Sequence, residues 1–388
     1  MSTEIIKNNV NSQSGNPPAK QRSSNLELFR IITMLLIVAH HYVVNSGLTS
    51  GGSPIVSDPM SWRSIFLLLF GAFGKTGINC FVLITGYFMC TSNITAKKFA
   101  KLIFEVMFYK IVIYLIFLIS GYADFSVISA IKAILPFPSV QQNFTGCFLL
   151  FYLCIPFLNI FIKNITEKQH VYLLVLLSFI YICFGTLKIF PVTMNYVSWY
   201  IVLYFIASYI RLYPKKIYEN TKFWGVASLI CVFLCMASVV SCVILGDMIN
   251  RFIPFFFVTD SNTLLAVATG LSSFMFFKNV KMKNSKFINT VSASTFGVLL
   301  IHANSDTMRT WLWKDVLDNV GIYDSPWLIV HAIGSVIAIY IVCTCIDILR
   351  IKFIETPFFK LWDKKWDKVA QWYKNIEAKI FNKIITKN

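Results

Sequence analysis

The chain has 388 residues, of which 56% are hydrophobic, only 14% are charged and 36 are Phe. Soluble domains carry roughly 25% charged residues, so this chain could not cover a water-facing surface, and soluble globular, disordered and coiled-coil classes are excluded. A formal net charge of +17 would suggest nucleic acid in a soluble protein; in an all-α, polytopic membrane chain its meaning depends on where it sits.

A bilayer-spanning helix needs about 20 mostly apolar residues. Residues 1–27 are polar, contain Pro17 and Pro18, and read as a disordered cytoplasmic tail. The first predicted span, 28–47, carries Arg30 and His41. Eleven residues at 100° each bring them to within about 20° of one helix face, about 16 Å apart, with His40 turned about 80° away. An Arg at a membrane mouth suits a phosphate-bearing donor. A neutral buried His can take a proton from a hydroxyl. The competing reading is an Arg snorkelling to headgroups and a His bonded within the bundle.

The second span, 68–90, is overlong, so 64–70 is expected along the interface. Its Lys75 either snorkels or enters a polar cavity. The third, 102–123, holds Glu105 and Lys110; Glu105 either supports the site or pairs with Lys101 at i, i−4. Spans follow at 144–162, 171–187, 193–210, 223–245 and 255–277. The ninth, 287–305, is the weakest, rich in Ser and Thr, and puts His302 at the depth of His41. After it come Arg309, Trp311 and Trp313. Flat aromatics beside an Arg suit a sugar face, and equally an interfacial aromatic belt. The tenth span, 326–349, carries His331, read as a satisfied core histidine, and ends in Asp347 and Arg350, read as a structural i, i+3 ion pair. No HxxxH or HxxE spacing supports a metal, and the ten cysteines lack a CxxC pair and read as small core residues. Residues 351–388 interleave Lys with Trp362, Trp366, Trp372 and Phe381, as an amphipathic helix on an anionic inner leaflet would.

With the N-terminus in the cytoplasm and strict alternation, only Arg63, Lys132, Lys188, Arg251, Arg309 and Lys314 of the 35 Lys and Arg fall outside, and, with Arg30 counted at the cytoplasmic mouth, only Lys75 and Lys110 fall within spans. That is a strong positive-inside bias with both termini cytoplasmic. The charge is therefore a topology signal that also attracts anionic lipid and an anionic donor. It does not imply a nucleic-acid partner.

Several stretches, in order, resemble the acyltransferase-3 family of integral membrane acyltransferases. "NLELFRIITMLLIVAHHYV" is similar to its Arg-x10-His signature, with Arg30 and His41. "GKTGINCFVLITGYFM" is similar to its Gly-containing second span, with Thr85 where Ser is common. "KKFAKLIFEVMFYKIVIYLI", "PFLNIFIKNIT", "SWYIVLYFIASYIRLYP", "TFGVLLIHANSDTMRTWLW" and "FIETPFFK" follow in family order. Asn143 and Phe144 stand where a Trp-Phe pair is expected, and Ala303 where an Asp is common. The resemblance implies a ten-span domain over 28–350 in the bacterial plasma membrane. It implies transfer of an acetyl group from cytoplasmic acetyl-CoA to a hydroxyl of a surface or exported polysaccharide, or of its lipid-linked precursor. No permanently bound cofactor is implied; the partners are acetyl-CoA, the glycan and membrane lipids. His41 would be the catalytic base, Arg30 and Arg211 the donor-side cations, and His302 and Glu105 further cavity residues. The residues themselves add Arg309, Trp311, Trp313 and Lys75 on the acceptor side. A glycolipid or polysaccharide transporter or flippase is the alternative, since charged cavities also conduct substrate.

Overall fold

The computed structural model describes residues 22–136, 143–187, 194–365, 371–372 and 375–376. The expectations for residues 1–21, Lys188, Trp366 and Phe381 lie outside these. Every secondary-structure element among the described residues is helical. The principal helices are α1 (Ser24–Val44), α2 (Trp62–Phe70), α3 (Gly74–Met89), α4 (Ala96–Ile119) and α5 (Phe144–Lys163). They continue with α6 (Glu167–Leu187), α7 (Tyr196–Leu212), α8 (Thr221–Met248), α9 (Leu264–Asn279), α10 (Lys286–Ala293), α11 (Thr295–His302) and α12 (Leu328–Arg350).

Side-chain caps explain several starts, because the first backbone N–H groups of a helix have no partner within it. Thr95 caps α4, Asn143 α5, Asn195 α7, Asn220 α8 and Ser285 α10. Thr166 and Gln169 form a reciprocal capping box at α6.

Seven helical segments are long and apolar enough to cross a membrane: α1, α2 with α3, α4, α5, α6, α8 and the stretch Leu328–Lys365 that contains α12. Helices α7 and α9 are apolar but shorter. The ninth predicted span is divided at Ser294 into α10 and α11, as its Ser and Thr content foreshadows. Two further departures have physical causes. The overlong second span breaks at 71–73, and α2 packs one face into the bundle with Leu67 and Leu68 fully buried. Helix α1 starts one turn early, at Ser24, where Asn25 donates to the Phe277 and Lys278 carbonyls at 2.9 and 3.0 Å.

The bundle is built around α3, which packs against α1, α7 and α9. Buried Asn79 joins these layers: its amide donates to the Ser261 carbonyl (2.7 Å), and its Oδ1 accepts from the Trp199 indole (2.9 Å). On the outside, α8 exposes Val226, Leu229, Ile230, Phe233 and Leu234, and α5 exposes Phe157 and Ile160. Helices with closed backbone hydrogen bonding and an apolar exterior belong in hydrocarbon, and the protein is a membrane protein. Its basic connections share one end. Lys215 lies 3.1 Å from Glu167, Asn159 reaches the Ser92 carbonyl at 3.3 Å, and Asn279 the Tyr218 carbonyl at 2.7 Å. Arg30 is at that end.

Also there, α12 closes on α4 and α11 through one buried cation. Arg350 contacts Asp347 at 2.8 Å, Glu355 at 2.7 Å and Glu105 at 3.3 Å. The Tyr109 hydroxyl donates to Asp347 at 2.7 Å. The expected Asp347–Arg350 pair is present, whereas Lys101 pairs with Glu355 (3.3 Å) and not with Glu105. Glu105 is drawn instead to the buried guanidinium, whose charge must be matched locally. Gly297 permits the approach: a Cβ there would lie 2.4 Å from the Asp347 carboxyl carbon. Removing one partner of a buried ion pair costs about 3–5 kcal/mol, so Arg350→Ala is expected to lower the thermal denaturation midpoint in detergent by several degrees, with a smaller loss for Glu355→Gln.

Candidate functional site

His40 and His41 lie on consecutive positions near the end of α1 remote from Arg30, and both line a cavity of about 210 Å³. Helix α3 supplies Gly74 and Lys75 to its wall, α4 Lys110, and the start of α5 Asn143 and Phe144. Ala303, Asn304 and Arg309 close it from the chain that follows α11.

His40 is fixed by the break between α2 and α3. Ending α2 frees the Gly71 carbonyl, which accepts from His40 Nδ1 at 2.6 Å. The ring then fills the space beside Gly74, where a Cβ would sit 2.1 Å from a ring carbon, so no other residue fits there.

His41 is oriented by a second histidine. Its Nδ1 lies 2.9 Å from His302 Nε2, and His302 Nδ1 lies 2.6 Å from the Val298 carbonyl. A carbonyl only accepts, so the His302 proton is on Nδ1 and, in the neutral ring, its Nε2 is an acceptor. His41 must therefore donate through Nδ1, which leaves the lone pair on His41 Nε2. Trp313 packs edge-on against His302, with ring centroids 6.4 Å apart, and holds that ring in place. A second hydrogen bond that fixes the tautomer is what a base needs to present one defined nitrogen.

The cavity is rich in positive charge. Lys75 Nζ donates to the Tyr196 hydroxyl at 3.0 Å. Lys110 Nζ donates to the Leu135 carbonyl. Arg309 pairs with Asp306 at 2.8 Å.

The structure thus brings together His41, Lys75 and Arg309, with His302 directly behind His41. The other sequence candidates lie elsewhere. Arg30 is three turns away along α1, pairs with Glu27 at 3.1 Å and remains 26% exposed. The Glu27 carboxylate also accepts from the Ser292 hydroxyl. Arg211 is exposed at the same end and donates to the Tyr87 hydroxyl at 2.9 Å while lying over its ring. Glu105 belongs to the Arg350 cluster. Trp313 is completely buried, and Trp311 packs on Phe117 beside an apolar cleft between α4 and α12, away from the histidines. His331 is half-buried and bonded to the Tyr42 hydroxyl at 2.8 Å, so it is satisfied though not in the core.

Three cavity residues escape a reading by helix face: His40, Lys110 and Tyr196. The signal for Lys110 was an intramembrane charge with no opposite charge one turn away. The signal for His40 was Gly74, a small residue that makes room for a ring on a neighbouring helix.

The profile of a family described as an acyltransferase domain matches residues 23–347. That range contains every residue of the cavity wall. No curated protein and no solved structure matches the chain. Nitrogen-15 spectra of histidine-labelled protein in nanodiscs are expected to show His41 and His302 as Nδ1–H tautomers; an Nε2–H signal from His41 would overturn the assignment.

Proposed function

Because the chain belongs to the acyltransferase-3 family, we propose that this membrane acyltransferase moves an acetyl group from acetyl-CoA to a hydroxyl of a surface or exported polysaccharide, or of its lipid-linked precursor, in the bacterial plasma membrane. One observation carries the reading: the chain from Val298 through His302 leaves the lone pair of His41 Nε2 available at the wall of a cavity.

In this reading the acceptor hydroxyl sits in the cavity and gives its proton to His41 Nε2. The alkoxide attacks the thioester carbonyl to form a tetrahedral intermediate. Its collapse breaks the C–S bond, and the departing thiolate takes the proton from His41. His302 accepts the hydrogen bond from Nδ1 throughout and so supports the imidazolium that forms.

The donor approaches from the Arg30 end, where Arg30 and Arg211 supply cations for its phosphates. The basic connections gathered there support a cytoplasmic placement, which puts His41 and its cavity toward the outer face, where an exported glycan is met. Glu105 serves this reading as a ligand of Arg350, and Trp313 as the wall behind His302. Lys75 and Arg309 face the acceptor.

The test is the acetate content of surface polysaccharide in cells expressing wild type or His41→Ala at equal abundance. Loss of a positioned general base typically costs about 10²–10⁴-fold, so acetylation by His41→Ala is expected to fall to background. Equal acetate in both strains would refute the role of His41. With purified protein, Arg30→Ala is expected to raise KM for acetyl-CoA, and His302→Ala to lower kcat with little change in that KM.

A further inference from the structure

The charge of the cavity bears on what enters it. Two ammonium groups, Lys75 and Lys110, point at neutral partners, a tyrosine hydroxyl and a backbone carbonyl. The guanidinium of Arg309 is matched by Asp306, whose side chain is 96% exposed and lies outside the lining. The described lining contains no carboxylate. Cations in a half-buried site are costly unless something anionic meets them. Among the described lining residues, none meets Lys75 or Lys110 with a negative charge.

The donor's phosphates are a poor fit to this need. The cavity wall is made from the His41 end of α1, the start of α5 and the chain after α11. The donor-side cations Arg30 and Arg211 lie at the opposite end, with Arg30 about 16 Å from His41 along α1. The cavity's cations therefore face the acceptor.

Its volume also limits the occupant. About 210 Å³ is below the roughly 300–1,000 Å³ typical of ligand sites. It suits one sugar residue entering with its reactive hydroxyl first, and the anionic group must then be carried close to that hydroxyl.

We propose that the acceptor is an anionic glycan unit, bearing a carboxylate or phosphate near the hydroxyl to be acylated, and that Lys75 and Lys110 bind this group beside His41. The inference rests on the acyl-transfer reading for the word acceptor, but the binding site itself can be tested without any transfer. Charge-assisted hydrogen bonds are about twice as strong as neutral ones, so an anionic sugar gains what its neutral analogue cannot.

The experiment titrates wild-type protein in nanodiscs with methyl glucuronide, methyl glucoside and glucose 6-phosphate by calorimetry. The expected result is binding of the two anions about tenfold or more tighter than the glucoside, with the gap narrowing as salt is raised. Lys75→Gln and Lys110→Gln are each expected to erase most of the gap, whereas Lys132→Gln, on the exposed helix Val127–Ile134, leaves it intact. Preference for the phosphate or for the carboxylate identifies which anion the site is built for. Equal affinity for all three sugars, or binding by none, overturns the proposal. So does competition between free CoA and methyl glucuronide, which would assign the cations to the donor. A protein that prefers the anions but leaves surface glycan unacetylated would instead refute the acyl-transfer reading and leave the anion site standing.

Discussion

The site depends on one close approach, that of His40 on α1 to Gly74 on α3. A single methyl group at residue 74 would overlap the ring, so these two helices can meet only where the chain omits a side chain. The break between α2 and α3 works with this approach by giving His40 the Gly71 carbonyl as a partner. With His40 held against α3, its neighbour His41 faces α11 and meets His302. Three elements distant in sequence are thereby fixed around one cavity by packing and two short hydrogen bonds.

The two ends of the bundle use charge differently. At the Arg30 end, cations are matched: Arg30 by Glu27, and Arg350 by three carboxylates. Such matching keeps the helices in register at a depth where an unpaired charge would be costly. At the His41 end, the ammonium groups have neutral partners. The buried Arg350 is compensated entirely within the protein, whereas Lys75 and Lys110 keep charge that their neutral partners do not cancel.

Much of this was legible in the sequence because the governing rules are local or periodic. Apolar runs of span length located the principal helices, and the eleven-residue spacing of Arg30 and His41 placed them on one face of α1. His302 was readable by depth. What could not be read depends on how helices meet. Glu105 has Lys101 one turn away, yet it turns to Arg350, which comes from the far end of the chain. Trp313 looks like a sugar platform beside Arg309, but the π-helical turn at Trp311–Val316 carries it into the core. His40 does turn away from the His41 face, as helix phase requires, but phase says nothing about the neighbouring helix, so its place in the same cavity was not readable. Lys110 borders the same cavity beside Leu135 and Pro136, a meeting of elements that spacing along α4 does not reveal.

The histidine pair ends at the Val298 carbonyl, an acceptor with no proton to pass on. A longer chain of hydroxyls or waters from His302 toward the far end would connect the two faces of an energised membrane and let protons run down their gradient. A backbone carbonyl is a dead end for such a wire. The hydrogen-bonded pair thus offers a proton no onward path through His302, and a proton taken up at His41 Nε2 is given up from that same nitrogen.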